Sequence, residues 1–390
     1  MFRVLNHDTI RLNSSKSLLI RALVARFLYH GVLPDLTPGD SEDVRVVHRC
    51  LQTLSEPRSH SHPVTVDVRD CGAAYRFLMA VLSVTEGEWL LTGTPRLLER
   101  PVEPLVYALA AAGAELNRSA AGWHIKGKPL HAESITVDCT LSSQFASALL
   151  LIGPKIGLKE LTVLPDNPPS EPYIDMTRRV VADVLADKPF RREADWSTSA
   201  FWYAFVLLSP SVDELLLQDL RLDSIQGDNI IHLIFKELGI SSKQKDEGVL
   251  VLKNREFQLD FNHCFNLKKH PDLAPVLAVT AAMLPCSTTL TGLGNLNQKE
   301  SRRLDALAHE LAHFATVEVT GGDTLRIVGN MTEKTASSPF VVNTRSDHRL
   351  VMAFSLLSLK YNIQLSDTEC VKKSYPEFEN YFNPAESIGK

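Results

Sequence analysis

The stretch from Leu12 to Arg21 combines residue types that bind anions in proteins. Three serines and an asparagine at positions 13–17 lead into an apolar run, which is typical of a helix N-terminus. The N–H groups of a first helical turn and the positive end of the helix dipole attract anions. Lys16 adds a mobile charge there, and Arg21 adds a planar guanidinium group, four residues after Ser17 on one predicted helical face. The stretch is therefore a candidate anion site, although an ordinary capped surface helix has the same pattern.

Further cationic side chains lie far along the chain. Arg96 follows a predicted strand in a Gly-Thr-Pro-Arg loop, and such loops often carry binding residues. A helix is predicted to open at Asn295. On it Lys299 and Arg303, four residues apart, share a face, and Glu300 is adjacent. An exposed helix with internal salt bridges would show the same spacing.

One pattern recurs along the sequence and predicts the architecture. Six times a Ser, Asp or Gly cluster leads from a strand into a short apolar helix, which indicates a repeated supersecondary unit. Helices that are apolar all round are usually buried. We therefore expect two similar lobes with three buried helices each, or else two unrelated α/β domains with well-capped helices. The apolar runs are the opening helix and residues 77–84, 146–152, 200–208, 276–284 and 350–359.

The remaining elements are predicted from alternation and capping. Apolar alternation predicts strands at residues 64–68, 89–93, 135–138 and 160–164. Capping signals predict helices from the cluster at 39–45 to Leu54, from Pro104 to Ala112, and from the cluster at 170–175 to Ala186. Residues 196–199 are predicted to precede the helix at 200–208.

Composition excludes several classes of protein. The 390 residues suggest about two domains, and a net charge of −5 does not favour a nucleic-acid or acidic-membrane partner. The N-terminus has no apolar core of a signal peptide, and no apolar segment reaches the length of a membrane span. Six cysteines without a Cys-x-x-Cys pair indicate neither zinc nor a disulfide framework. A cytoplasmic protein without a metal is expected.

Taken in order, the clusters resemble the motifs of the 5-enolpyruvylshikimate-3-phosphate synthase (3-phosphoshikimate 1-carboxyvinyltransferase) family. The resemblance runs from about Arg11 to Pro376 and is carried by the ordered set rather than by any single motif. The matching segments are residues 15–21, 43–45, Gly72 with Arg76, and residues 93–101, 142–145, 170–175, 226–228, 271–272, 299–303, 347–349 and 373–376.

The resemblance implies a fold and a reaction. The fold is α/β (α+β), with two lobes of three βαβαββ repeats each, buried helices, and an active site in a cleft that closes on substrate. Residues 12–194 would form the shikimate 3-phosphate lobe, and residues 1–11 with 195–390 the phosphoenolpyruvate lobe. The reaction transfers the enolpyruvyl group of phosphoenolpyruvate to the 5-hydroxyl of shikimate 3-phosphate and releases phosphate through a tetrahedral intermediate, in the biosynthesis of chorismate and aromatic amino acids. The expected enzyme is a monomer that needs no cofactor and binds only small-molecule substrates.

The resemblance also implies the site residues. Cations would hold phosphoenolpyruvate, with Gly72 close to it; they are Lys16, Arg96, Lys299, Arg303, Arg349 and Lys373. Hydroxyl, amide and guanidinium groups would hold shikimate 3-phosphate; they are Ser17, Arg21, Ser142, Ser143, Gln144, Ser170 and Tyr173, with Asp272 and Asn295 beside the ring. The reaction protonates the methylene carbon and later removes a proton from it, so it needs positioned acid–base groups, each typically worth about 10²–10⁴ in rate. Asp272, Glu300 and Lys16 are the candidates, with Asp272 activating the hydroxyl.

Some positions depart from the family pattern. One departure places an acidic side chain, Asp70, near the expected phosphate. It should weaken phosphoenolpyruvate binding unless it is paired or points away. The departures are Asn13-Ser14 for Pro-Gly, Asp70 for Asn, Ala73 for Thr, Glu171 for Lys and Asn297 for Arg. Two alternatives stay open: the sister enzyme that acts on UDP-N-acetylglucosamine, whose loop matching residues 93–96 usually contains a cysteine that is missing here, and a non-catalytic anion-binding relative.

Overall fold

Short strands alternate with helices along the chain. The structure, a computed structural model, describes residues 2–56, 63–329 and 339–382. The strands are β1 (Thr9–Ile10), β2 (Val64–Asp67), β3 (Gly87–Thr92), β4 (Glu115–Ser119), β5 (Gly122–Gly127), β6 (Ser134–Asp138), β7 (Glu160–Leu164), β8 (Glu214–Gln218), β9 (Ile240–Lys245), β10 (Gly248–Lys253), β11 (Asn262–Asn266), β12 (Ser287–Thr291), β13 (Ala315–Thr320), β14 (Thr324–Gly329), β15 (Phe340–Val342) and β16 (Ile363–Leu365).

Thirteen α-helices are found in this described part of the chain. They are α1 (Lys16–His30), α2 (Glu42–Ser55), α3 (Gly72–Val84), α4 (Pro95–Leu98), α5 (Glu103–Ala111), α6 (Gln144–Ile156), α7 (Pro172–Leu185), α8 (Trp196–Leu208), α9 (Ile231–Lys236), α10 (Ala274–Met283), α11 (Arg303–Leu311), α12 (His348–Ser355) and α13 (Phe378–Tyr381). Turns of 3-10 helix cover Gly227–Ile230, Pro271–Leu273, Leu296–Gln298, Leu356–Leu359 and Thr368–Lys373.

The chain divides into two compact units. The N-terminal unit is Lys16–Arg191, and the C-terminal unit combines Met1–Ser15 with Arg192–Lys390. The sequence placed these boundaries after residues 11 and 194. Within the C-terminal unit, residues 13–15 pair with residues 193–195: Ser15 N–H donates to the Glu193 carbonyl at 2.8 Å, and Asp195 N–H to the Asn13 carbonyl at 3.0 Å.

The N-terminal unit contains a repeated module in full. Strands β2 and β3 are parallel, and β5 and β4 continue the same sheet in antiparallel pairing, so its order is β2-β3-β5-β4. With α3 between β2 and β3 and with α4 and α5 before β4, the module follows the order β-α-β-α-β-β. Strands β6 and β7 form a separate parallel pair connected by α6.

The C-terminal unit repeats the same module. Strands β11-β12-β14-β13 have the same order and directions, with α10 and α11 as the helices. The sheet β1-β8-β10-β9 matches them too, and the N-terminal unit is inserted in the chain between β1 and α8. Strands β15 and β16 form a parallel pair connected by α12. The predicted α/β class with repeated modules is confirmed, although some modules keep only two strands in the described residues.

Each unit has its own apolar core around the predicted apolar helices. In the N-terminal unit α3 and α6 are buried for most of their length, and in the C-terminal unit α8 and α10 are. Burying one large apolar side chain contributes roughly 1.5–3 kcal/mol, so these helices anchor the units. Across the parts of the chain that are described, no helix combines the length and the apolar content needed to cross a bilayer.

The starts of two helices differ from the predictions. Helix α8 begins at Trp196 rather than after residue 199, since the Asp195 carboxylate accepts the Thr198 N–H at 2.7 Å. Helix α7 begins at Pro172, within the predicted cluster at 170–175, and Ser170 before it has a left-handed backbone with φ of 59°. The cluster at 345–349 only partly precedes α12, which begins at His348.

Two corrections concern cationic site residues. Arg96 lies in the one-turn helix α4 rather than in a loop, because Pro95 suits a first helical position and Thr94 Oγ1 accepts the Leu97 N–H at 3.3 Å. Helix α11 begins at Arg303 rather than at residue 295, and Lys299 is extended. Lys299 and Arg303 therefore do not share a helical face.

Candidate active site

Three helices of the N-terminal unit meet at a buried guanidinium group. Arg21 lies on α1 and is only 3% exposed. Its Nε donates to Thr177 Oγ1 at 2.7 Å, its Nη1 to the Ser17 carbonyl at 2.8 Å, and its Nη2 to Ser147 Oγ at 3.2 Å. Thr177 belongs to α7 and Ser147 to α6, so one side chain joins α1, α6 and α7 within two turns of their starts.

The charge of Arg21 has neutral oxygen atoms as its hydrogen-bond acceptors. Burial lowers the pKa of Arg21 to about 10, and the nearby Tyr173 opposes this slightly. The guanidinium carbon also lies 5.1 Å from the centre of the Phe77 ring and 5.7 Å from that of Tyr173. Arg21 remains charged at neutral pH and is held rigidly.

Lys16, the first residue of α1, pairs with an acidic residue of α2. Its Nζ lies 3.0 Å from Asp43 Oδ2, and the two side chains are 21% and 9% exposed. The ammonium group is thus fixed at the helix start by a carboxylate that is almost buried. Asp43 stands in a family motif, but the sequence assigned no role to it.

A second buried arginine of the N-terminal unit orients Gln144. Arg76 is 3% exposed, and its Nη1 donates to Gln144 Oε1 at 2.8 Å and to the Gly72 carbonyl at 3.2 Å. A guanidinium group can only donate, so the amide oxygen of Gln144 must face it and the amide NH₂ faces elsewhere. The sequence did not assign this positioning role to Arg76.

Gly72 borders two guanidinium groups. A Cβ at this position would lie 2.7 Å from Arg100 Nη1 and 3.0 Å from Arg76 Nη1, the first of which is closer than atoms pack. A larger residue at the start of α3 would displace the end of the Arg100 side chain, so glycine leaves room for both guanidinium groups.

The other predicted residues of this unit lie at helix starts. Ser142 and the buried Ser143 precede α6, where Ser142 Oγ accepts the Gln144 N–H at 3.3 Å. Ser170 is buried just before α7 with its left-handed backbone, a conformation that costs energy and is often found at binding sites. Tyr173 lies in the first turn of α7, and its carbonyl accepts the Thr177 hydroxyl at 2.8 Å. Arg96 is exposed on α4.

In the C-terminal unit, three cations surround Asp272. Its Oδ1 accepts from Arg303 Nη1 at 2.9 Å and lies 3.7 Å from Lys299 Nζ, and its Oδ2 accepts from Arg349 Nη2 at 3.1 Å. Burial alone would raise the pKa of Asp272, but Arg349, Lys299 and Arg303 together hold it well below its usual range. This unit therefore brings together four of the predicted residues.

Arg303 is the buried centre of that cluster. It is buried, and it donates to three carboxylates: Asp347 at 2.8 and 3.2 Å, Asp272 at 2.9 Å and Glu300 at 2.5 Å. Burial lowers the pKa of Arg303, but the three carboxylates raise it further and keep the group charged. Asp347, which also caps α12 by accepting the Arg349 N–H at 3.0 Å, was not predicted as a site residue.

Three predicted residues of the C-terminal unit remain. Glu300 is a third exposed and faces Arg303. Asn295 precedes the 3-10 turn Leu296–Gln298. The backbone of Lys373 ends the 3-10 helix Thr368–Lys373, but its side chain lies outside the described residues.

The structure shows the positions of two residues that the sequence analysis described as departures from the family pattern. Asn297 caps α11, since its Oδ1 accepts the Leu304 N–H at 2.9 Å and the Asp305 N–H at 3.3 Å. Asp70 is exposed just before Cys71, the N-cap of α3. The described ranges contain no cluster of three or more His, Cys, Asp or Glu side chains arranged to bind a metal ion.

Two solved structures share this fold over nearly the whole chain. EPSP synthase from Acinetobacter baumannii has a TM-score of 0.68 at 19% identity and covers 97% of this chain and 96% of its own. The enolpyruvyl transferase NikO from Streptomyces tendae has a TM-score of 0.66 at 13% identity, over 97% of this chain and 94% of its own. At these identities the likeness defines the fold class, that of the enolpyruvyl transferases.

Sequence comparison defines the family within that class. The family model for EPSP synthase (3-phosphoshikimate 1-carboxyvinyltransferase) matches residues 36–187 and 182–382. A 3-phosphoshikimate 1-carboxyvinyltransferase from Bacteroides fragilis strain YCH46 is 33% identical over 95% of this chain and 93% of its own length, and one from Colwellia psychrerythraea is 29% identical over 95% and 94%. The chain belongs to the EPSP synthase family and is an enzyme of the 3-phosphoshikimate 1-carboxyvinyltransferase type.

The pairing of Lys16 with Asp43 predicts a combined effect on activity and stability. Lys16→Met should abolish carboxyvinyl transfer, and it should lower the free energy of unfolding by about 1–3 kcal/mol because Asp43 loses its cationic partner. Adding Asp43→Asn should restore part of the stability but not the activity. Turnover assays and urea denaturation measure both effects.

Lys159 provides the control for that prediction, because its Nζ pairs with Glu133 at 2.7 Å on the exposed surface. Lys159→Met should change the stability by less than about 1 kcal/mol and leave turnover intact. Normal turnover in Lys16→Met would contradict a catalytic role for this lysine.

Proposed function

We propose that the chain transfers the enolpyruvyl group of phosphoenolpyruvate to the 5-hydroxyl of shikimate 3-phosphate, by addition and elimination through a tetrahedral intermediate. The observation that carries the proposal is the carboxylate of Asp272 surrounded by Arg303, Arg349 and Lys299. Such a cluster supplies both a base for a hydroxyl and cations for an anionic substrate.

Shikimate 3-phosphate is assigned to the N-terminal unit. Helix starts favour a phosphate group, and the starts of α1, α6 and α7 present hydroxyl groups. The residues assigned here are Ser17, Arg21, Ser142, Ser143, Gln144, Ser170 and Tyr173. Gln144 offers amide N–H donors, because Arg76 occupies its oxygen. Asp272 and Asn295 are assigned to the ring of the same substrate.

Phosphoenolpyruvate is assigned to the cations Lys16, Arg96, Lys299, Arg303, Arg349 and Lys373. Within the cluster at Asp272, the side chains of Arg349 and Lys299 are 13% and 23% exposed, but that of Arg303 only 1%. An anion from solvent therefore contacts Arg349 and Lys299 directly, whereas Arg303 attracts it through its charge and holds the carboxylates in place.

The same cations control the basicity of Asp272. In the free cluster they keep the pKa of this carboxyl well below its usual range, so it is a weak base. The negative groups of phosphoenolpyruvate compete for Arg349 and Lys299 and raise the pKa of Asp272. Binding of the donor substrate thus prepares Asp272 to accept the proton of the 5-hydroxyl.

Lys16 and Glu300 are assigned to proton transfer at the methylene carbon. In the addition, the 5-oxygen bonds to C2 of phosphoenolpyruvate while the methylene carbon gains a proton. In the elimination, that carbon loses a proton and the C2–phosphate bond breaks. Glu300 is held 2.5 Å from Arg303 Nη2 and remains a third exposed, which suits a group that contacts substrate.

We further propose a cytoplasmic monomer that acts on these two small molecules without a cofactor. The net charge of −5 and the free thiols of all six cysteines support this setting. The function is tested by mixing the purified protein with both substrates and measuring phosphate release. Release should require shikimate 3-phosphate, and UDP-N-acetylglucosamine should not replace it. Release with UDP-N-acetylglucosamine alone, or binding without turnover, would reject the proposal.

The orientation of Gln144 predicts the effect of one substitution. Gln144→Glu keeps an acceptor for Arg76 but replaces the amide NH₂ by a carboxylate oxygen, which repels a phosphorylated substrate. The KM for shikimate 3-phosphate should rise about tenfold or more, equivalent to about 1.4 kcal/mol, in steady-state assays. An unchanged KM would mean that Gln144 does not donate to this substrate.

The lowered pKa of Asp272 predicts how stability depends on pH. A carboxyl whose pKa is lower in the folded than in the unfolded state, where it is about 3.9, stabilises the fold above that pH and loses this effect as the pH falls. The difference in unfolding free energy between the parent and Asp272→Asn should therefore be constant from about pH 5 to 8 and shrink below about pH 4. Denaturation at a series of pH values measures it. Because the pKa of the folded state lies well below the usual range, the difference should keep shrinking as the pH falls further. A difference that does not change at all between pH 5 and pH 3 would show that the cations do not stabilise this carboxylate.

A further inference from the structure

A fully buried hydroxyl group lies where Arg21 meets α7. Thr177 has no exposed surface, and its Oγ1 accepts from Arg21 Nε at 2.7 Å. The Thr177 hydroxyl donates to the Tyr173 carbonyl at 2.8 Å, and its oxygen also lies 2.9 Å from Ser147 Oγ. Ser147, also fully buried, accepts from Arg21 Nη2.

Thr177 makes more hydrogen bonds than a buried threonine in a helix needs to satisfy its hydroxyl group. A buried threonine commonly satisfies its hydroxyl by donating to the carbonyl four residues earlier. Thr280 on α10 does this: it is 1% exposed, and its Oγ1 donates to the Val276 carbonyl at 2.7 Å. Thr177 makes the equivalent bond to Tyr173 and in addition accepts from a charged donor. The hydrogen bond from Arg21 to Thr177 is therefore not needed to satisfy the hydroxyl within the helix.

We propose that Thr177, assisted by Ser147, is a positioning residue for the acceptor substrate of this enzyme. Its hydroxyl fixes the rotation of the Arg21 guanidinium and links α1, α6 and α7, whose first turns carry the residues assigned to shikimate 3-phosphate. The inference rests on the proposed function.

The geometry explains why a hydroxyl is needed here. Three of the five N–H groups of Arg21 are bonded within the described part of the chain, to Thr177, Ser17 and Ser147. A planar guanidinium group with three fixed N–H groups holds the other two in fixed directions. Those two N–H groups can donate to an oxygen of the substrate without any further loss of side-chain freedom in Arg21. Without the Thr177 oxygen, the Nε–H is buried and unsatisfied, and the group must rotate to find another acceptor.

The experiment compares four variants with the parent enzyme. Thr177→Val keeps the shape and removes the acceptor, and Thr177→Ser restores it. Ser147→Ala removes only the acceptor for Nη2. Thr280→Val is the matched control, because it removes the equivalent helical hydrogen bond at nearly equal burial, on α10, which carries none of the residues assigned to a substrate. Calorimetry with shikimate 3-phosphate alone, steady-state kinetics with both substrates and thermal unfolding are measured for each.

The expected result is a selective loss of acceptor binding. In Thr177→Val, the Kd and KM for shikimate 3-phosphate should rise about tenfold or more, whereas kcat and the KM for phosphoenolpyruvate change less than threefold. Thr177→Ser and Thr280→Val should stay within twofold of the parent in all constants. Ser147→Ala should raise the same Kd by about threefold, and it decides the question if Thr177→Val does not fold.

Other results would overturn the inference. Parent-like acceptor binding in both Thr177→Val and Ser147→Ala, or an equal loss in Thr280→Val, would show that the hydroxyl only supports the helix. A parent enzyme that fails to bind shikimate 3-phosphate at all would instead reject the proposed function, and the inference with it.

Discussion

Each unit buries an arginine at the starts of its helices, and the surrounding structure must satisfy that charge. Taking a guanidinium group out of water is costly unless every available N–H finds an acceptor. Arg303 finds three carboxylates, and Arg21 finds two hydroxyl groups and a carbonyl. Both guanidinium groups take their acceptors from several segments of the chain, because one helix cannot place acceptors in all the directions in which a guanidinium group donates. These two side chains therefore tie together residues near the starts of several helices.

The two solutions have opposite electrostatic consequences. Carboxylates raise the pKa of Arg303 and offset its charge, whereas burial among neutral acceptors lowers the pKa of Arg21 to about 10. The charge of Arg21 is thus not compensated by its hydrogen-bond partners, and it favours a negative group nearby. In the C-terminal unit the carboxylates of Asp272, Glu300 and Asp347 instead balance the cations. One unit therefore buries a charge without a counter-charge among its hydrogen-bond partners, and the other buries a network of opposite charges.

The sequence predicted the apolar helices and the repeated modules, because both are local patterns. It also predicted most of the charged residues at helix starts, through the ordered family motifs. It missed the roles of Asp43 and Asp347, since neither pairing follows from a local pattern: Arg303 and Asp347, for example, lie 44 residues apart. Nothing in the sequence indicated a role for Thr177, because threonine is common within helices and only the structure shows its hydrogen bond with Arg21.

The start of α11 shows how one capping residue determines the charged cluster. The periodic spacing of Lys299 and Arg303 suggested a helix from residue 295, but Asn297 accepts the N–H groups of residues 304 and 305 and so fixes the helix start at Arg303. Arg303 then occupies the first helical position, where its side chain reaches the turn of Asp272 and the N-cap of α12. In a helix from residue 295, Arg303 would lie more than two turns inside and could not hold both carboxylates from that end. Asn297 thus places Arg303 at the centre of the charged cluster.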